Sequence, residues 1–178
     1  MKKSIGFWQM LGFIFTAVSG TILHFVFDWT GGNGLAALFS AVNESIWEHM
    51  KLLFYPMMVF ACIEYRYWGR EKACFWRVKL VGILVGLALI PALYYTYTGI
   101  LGVEADWFNI TIFFLSVGYA YWLESRLLQK EKCRHMPKGA AVAILMLISL
   151  LFTVFTFRTP QIPFFRDPQT GTYGFQKS

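Results

Sequence analysis

The chain has 178 residues, of which 57% are hydrophobic and 15% charged, with a formal net charge of +6. That balance is too apolar for an ordinary soluble domain and excludes a disordered or fibrous chain. At about 20 residues per membrane span, the length accommodates around five helices and leaves no room for a sizeable extramembrane domain.

The first predicted span covers 4–27. Lys2-Lys3 and Ala17-Val18-Ser19 imitate a signal peptide and its cleavage site, but the apolar run continues through Ile22 and Leu23, so an uncleaved helix is expected. Gly12, Thr16, Gly20 and His24 recur every four residues. Small residues at that spacing let a second helix approach closely, and the same face carries His24 to the outer end. Asp28 to Gly34 is a loop by its glycines. A single helix from Leu35 to Tyr65 would be about 46 Å long, against a hydrocarbon core of ~30 Å, so it either tilts or breaks near Asn43.

The second span, 45–65, opens on the most polar stretch of the interior, Asn43-Glu44-Ser45-Ile46-Trp47-Glu48-His49-Met50-Lys51. Ser45-x-x-Glu48 has the form of a capping box. If the helix is continuous, Glu44 and Glu48 lie about 40° apart with Lys51 between them and Trp47 alongside, while His49 points about 140° away. Lys51, three residues from Glu48, can pair with it, leaving one carboxylate unpaired.

The third span, 79–98, carries the close-packing pair Gly82 and Gly86, an expected kink at Pro91, and Tyr94 beyond it. The fourth, 107–127, brings Asn109, Thr111 and Ser116; the fifth covers 139–157. In the tail, 158–178, Pro160, Pro163 and Pro168 exclude a helix and Asp167 to Gly171 reads as a tight turn. Phe164, Phe165, Tyr173 and Phe175 are too apolar for a freely solvated end. The tail is therefore expected to fold over the outer mouth near Trp47 and Tyr94, with Arg166 or Asp167 beside the polar motif and Arg166 neutralising the unpaired carboxylate.

Basic residues set the orientation. Arg66, Arg70, Lys72, Arg77 and Lys79 cluster between spans two and three, and Arg126, Lys130, Lys132, Arg134 and Lys138 between spans four and five. The segments 28–42 and 98–106 hold neither Lys nor Arg. This predicts an all-α, polytopic transmembrane bundle of five spans in the cell membrane, with a cytoplasmic N-terminus and the tail outside. The positive charge then faces anionic lipid headgroups, not nucleic acid. Glu64, Glu71, Glu124 and Glu131 read as local charge balance among those bases. Cys62, Cys74 and Cys133 show neither CxxC nor zinc spacing, and Cys74 and Cys133 fall in loops assigned to the cytoplasm, so no disulfide is expected.

The function that follows is an outward-facing pocket for a small polar or cationic ligand, or an ion. Glu44 and Glu48 supply charge, Lys51 tunes it, His24, His49 and Asn43 offer polar contacts, Trp47 and Tyr94 form walls, and Arg166 and Asp167 arrive from the tail. A membrane-embedded enzyme acting on a lipid or peptide, with a metal on Glu44, Glu48 and His24, is the second reading, although HExxH and GxSxG are absent. The third is an accessory subunit without chemistry of its own. No other cofactor is implied, and an oligomer is compatible with all three. Asn43, Ser45 and Glu48 also suit simple helix capping, Trp47 interfacial anchoring, and His24 an interhelical hydrogen bond. Capping leaves unexplained why Glu44, Glu48, His49 and Lys51 fall within eight residues.

The segments VNESIWEHMKLLFYP, 42–56, and PQIPFFRDPQTGTYG, 160–174, resemble the paired signatures of a family of small bacterial multi-pass membrane proteins of unknown function. The resemblance spans the chain and implies that motif and tail belong together. It implies no catalytic residue.

Overall fold

The computed structural model describes residues 2–130 and 138–176. Among these there are five α-helices, α1 (Lys2–Trp29), α2 (Ile46–Tyr67), α3 (Phe75–Leu101), α4 (Asp106–Lys130) and α5 (Lys138–Phe157), and no strand. Four of them, α1, α2, α3 and α5, are long and apolar enough to cross a membrane. The surface fits a bilayer: Phe7, Met10, Ile14, Val18 and Ile22 on α1 and Met146, Leu147, Leu150 and Val154 on α5 are exposed apolar side chains. The polar residues Gln9, Thr16, Glu48, Lys51, Glu64, Lys79, Ser116, Glu124 and Thr156 are buried. Ionisable groups in spans turn inward because lipid cannot solvate them.

Helix ends follow local chemistry. Gly31 (φ 65°) and Gly32 (φ 77°) stop α1, and Gly102 (φ 67°) caps α3 with its N–H on the Thr98 carbonyl. Between α1 and α2, a 3-10 turn at Ala36–Leu38 is followed by irregular chain to Ser45, so the long 35–65 helix does not form. Ser45 is the N-cap of α2, its hydroxyl accepting from the Glu48 amide at 3.4 Å. The box is not reciprocal: the Ser45 amide goes to Asn43 Oδ1 at 3.0 Å. The Glu48 carboxylate turns elsewhere. α3 starts at Phe75, ahead of Lys79, and runs through Pro91 as one helix.

α2 is the innermost helix, with 61% of its most apolar window buried against 22% for α1 and α5. It packs on α1, α3 and α5, while α4 packs on α1 and α3. Glycines set the closest approaches. A Cβ at Gly12 would meet the Phe60 and Tyr121 rings, one at Gly20 the Leu52 carbonyl at 2.6 Å, and one at Gly82 the Glu124 side chain.

A buried ionic network joins the 3-10 turn, α2 and α5. Lys51 Nζ lies 2.5 Å from Glu48 Oε2 and donates to the Ala37 carbonyl at 2.8 Å and to Thr156 Oγ1 at 3.1 Å. The Thr156 hydroxyl donates to Glu48 Oε1 at 2.7 Å, and the Val42 amide to Oε2 at 3.1 Å. All three ammonium protons and both carboxylate oxygens are thus engaged, as a dry ion pair requires.

The expectation of reduced cysteines is corrected. Cys74 is disulfide-bonded, whereas Cys62 is free and exposed. Cys133 lies outside the described residues. Linear spacing carries no information about which loop thiols meet in space.

Replacing Lys51 by Met leaves the buried Glu48 charge uncompensated and is expected to cost about 3–5 kcal/mol. Adding Glu48→Gln removes that charge while keeping an acceptor for Val42, and recovers most of the loss. Thermal melting of the purified single and double variants checks both outcomes.

Candidate functional site

Because α2 begins at Ile46, Glu44 lies outside the helix and the angular argument that paired it with Glu48 does not hold. The Glu44 backbone amide is held by Asp167 Oδ2 at 3.3 Å. Its side chain faces His24, grouped with it in the metal reading, and also His49, which the helical angle had pointed away: Oε1 is 3.7 Å from His24 Nε2 and Oε2 is 3.4 Å from His49 Nε2. The two imidazole centroids are 5.3 Å apart. His24 arrives from α1 on the small-residue face, Glu44 from the irregular segment, and His49 from the first turn of α2.

The three donor atoms lie within 4.8 Å of one another, a grouping that could hold a metal ion. His49 Nδ1 is 3.0 Å from the Ser45 carbonyl. As an N–H donor there, it fixes the ring and leaves Nε2 as a lone-pair donor toward Glu44 and His24, the outer-shell arrangement typical of ligating imidazoles. His24 Nδ1 is buried without a hydrogen-bond partner among the described residues. Side-chain exposure of 28% for His24, 26% for His49 and 37% for Glu44 leaves the trio accessible from a cavity.

That cavity, about 370 Å³, lies between α1, α2 and α4. His24, Glu44, His49, Asp106, Asn109 and Gln169 form its polar part, and Phe25, Ile110, Phe113 and Phe114 its apolar part. Phe25, Ile110 and Phe114 are also on the exposed apolar surface, so the cavity borders the lipid-facing side. A smaller space on the other side of Glu44 and His49 reaches Tyr94.

The remaining expected site residues divide by location. Glu48 and Lys51 are committed to the buried network and do not line the cavity, so Glu48 is not positioned as a third ligand with Glu44 and His24. Trp47 packs on Phe152, Phe155, Phe164 and Phe165 instead of walling the cavity. Asn43 bridges the Ser45 amide and the Gly174 carbonyl. Tyr94 donates to Glu104 at 2.9 Å. Arg166 is exposed and packs beside Gly171, so the carboxylate left by Lys51 faces imidazoles rather than a guanidinium. Asp167 is buried and accepts from the amides of Gln169 (2.7 Å), Thr170 (3.0 Å) and Glu44. The tail is also fixed on α5 by the Phe175 amide on the Thr156 carbonyl.

Sequence reading missed a second polar cluster. Glu64 and Glu124, read from sequence as local charge balance among the basic residues, are buried on Lys79, which lies a turn inside α3. Gly82 was the available signal: it stands three residues beyond Lys79 and leaves the space that the Glu124 side chain fills.

A family model described as "Family of unknown function (DUF6512)" matches residues 1–175. The chain belongs to that family. No curated protein and no solved structure matches it. The family therefore carries no activity to the site, and the reading rests on geometry.

Burial alone would raise the Asp167 carboxyl, but the amide donors of Thr170, Gln169 and Glu44 outweigh it and hold the group below its ordinary value of 3.8. The stabilisation is fully present above that ordinary value and is lost as pH falls through the lower value of the folded protein. Acidification below the usual aspartate range is expected to release the tail, read as a change in Trp47 fluorescence as Phe164 and Phe165 leave its ring. Asp167→Asn should remove this acid transition.

Proposed function

We propose that this protein is an integral membrane protein that binds a divalent transition-metal ion, zinc foremost, at His24, Glu44 and His49 in an outward-facing pocket. The observation that carries this reading is the convergence of two imidazole nitrogens on the two oxygens of one carboxylate, at 3.7 and 3.4 Å. Zinc holds N and O donors at about 2.0–2.2 Å in tetrahedral geometry, which puts neighbouring donors about 3.3–3.6 Å apart, so the three donors, all within 4.8 Å of one another, close slightly on the ion. Imidazole and carboxylate suit a borderline-soft ion better than calcium or magnesium. Three protein donors leave a fourth position facing the cavity. Glu48 and Lys51 serve as support, and Asp167 holds the Glu44 backbone.

In this reading α4 is the fifth span. Its 25 residues extend about 37 Å, enough for a core of ~30 Å. The basic residues assign the N-terminus to the cytoplasm and the pocket with its tail to the outside, with anionic headgroups met at the inner face. Against this orientation stands the Cys74 disulfide at the basic end, a bond rare in the cytoplasm. The orientation proposed here follows the basic residues, which are numerous and act during insertion.

A second reading, a metal-dependent hydrolase of a lipid, is favoured by the apolar cavity wall of Phe25, Ile110, Phe113 and Phe114 beside the open position. Two histidines and one glutamate with one open position is a donor set of catalytic zinc. Turnover of ester or amide lipids by the metal-loaded protein separates it from binding alone.

Zinc titration of the purified, metal-stripped protein is expected to show one site. His24→Ala, His49→Ala and Glu44→Gln should each weaken it by at least about tenfold, the smallest loss expected when a ligand goes. Glu48→Gln should leave affinity within a few-fold. Equal binding by wild type and the three ligand variants contradicts the assignment.

A further inference from the structure

Away from the metal site, the helices enclose a second group of ionisable side chains that no contact with the pocket explains. Glu64 of α2, Lys79 of α3 and Glu124 of α4 are each at most 1% exposed. Lys79 Nζ forms ion pairs with Glu64 Oε2 and with Glu124 Oε2, the latter at 2.5 Å. Gln9 of α1 donates to Glu64 Oε1 at 2.8 Å. Tyr121 of α4, hydrogen-bonded to Thr16 of α1 at 2.8 Å, presents its ring 5.5 Å from the ammonium, and Phe75 lies 5.6 Å from it on the other helix. Among the described residues the ionisable groups facing the cluster are therefore Glu64, Lys79, Glu124 and Tyr121; Gln9 and Thr16 on α1 carry no charge.

The charges do not balance. Among the described residues two carboxylates meet one ammonium, leaving one negative charge in excess in a buried interior. An uncompensated buried carboxylate is costly enough that such a group takes up a proton instead. The hydrogen bonds indicate which oxygen takes it. Glu64 Oε1 accepts from the Gln9 amide and Glu64 Oε2, though it has no hydrogen bond, is ion-paired with Lys79, whereas Glu124 Oε1 has neither kind of partner among the described residues, nor has Gln9 Oε1. An acceptor oxygen without any donor is the poorest place for negative charge and the open place for a hydrogen.

We propose that Glu64, Lys79 and Glu124 form an intramembrane proton-binding site, in which Glu124 holds one exchangeable proton and Glu64 remains ionised on Lys79. The ligand class is a proton, and the site is independent of the metal pocket: its residues come from the opposite ends of α2, α3 and α4. Thr16 and Tyr121 stand between it and Gly20, which lines the outer cavity. This geometry places a hydroxyl pair between the buried cluster and the outer cavity.

Infrared difference spectroscopy of the full chain in lipid vesicles tests this directly. The wild type at neutral pH should show the carbonyl stretch of a protonated carboxylic acid, shifted in deuterated buffer and lost in alkali. Glu124→Gln, which mimics the neutral acid, should lose that band while melting like the wild type. Lys79→Met should roughly double the band, because both carboxyls then need protons. If Lys79→Met does not fold, the alkaline titration and Glu124→Gln still decide. No carboxylic-acid band in the wild type, or one unchanged in Glu124→Gln, overturns the proposal. A sodium-dependent melting temperature without the band identifies the counter-charge as a metal cation and overturns it equally.

Discussion

The three bonds of the Lys51 ammonium organise the outer end of the bundle. They tie the Ala37 carbonyl, the Glu48 carboxylate and the Thr156 hydroxyl, and so fix the irregular segment before α2 against both α2 and α5. A buried ion pair of this kind contributes little net stability over a well-packed apolar alternative. Its consequence is specificity of arrangement. With Glu48 consumed by Lys51, Thr156 and Val42, the chain enters α2 only at Ile46, and Glu44 is left outside the helix with its carboxylate free to face His24 and His49.

Two carboxylates four residues apart thus take opposite roles. Glu48 is sealed from the cavity and fully hydrogen-bonded; Glu44 is one-third exposed on the side chain and shared by two imidazoles. The tail completes the separation. Asp167 fills the amide of Glu44, Asn43 receives the Gly174 end, and Phe164 and Phe165 cover Trp47 on the far side from the cavity. The aromatic side of the motif is packing, and its imidazole side is chemistry.

The membrane class, the number of helices and the break before α2 were legible because they depend on local properties: apolar run length, glycine, and the Ser45 cap. Within the motif the Lys51–Glu48 pair was legible from its i,i+3 spacing, but the neighbours of Glu44 were not. The 100° rule applies only to helical residues, and Glu44 lies two positions before the helix, so its neighbour became His49 instead of Glu48. Arg166 and Asp167 are adjacent in the tail, and only the turn geometry decides that the aspartate points inward. Lys79 read as a loop base because α3 was expected to begin there; starting at Phe75 carries it inside, where Glu64 and Glu124 follow from three-dimensional packing alone. The Cys74 disulfide is of the same kind, a bond that linear spacing did not register.

The central claim is that His24, Glu44 and His49 act as one ligand set. X-ray absorption at the zinc edge of the zinc-loaded protein tests it most directly. The account predicts a nitrogen and oxygen shell at about 2.0–2.1 Å with the outer scattering of two imidazoles. A sulfur shell at about 2.3 Å, which would put the ion on the exposed Cys62 thiol, or a shell without imidazole scattering, would contradict it.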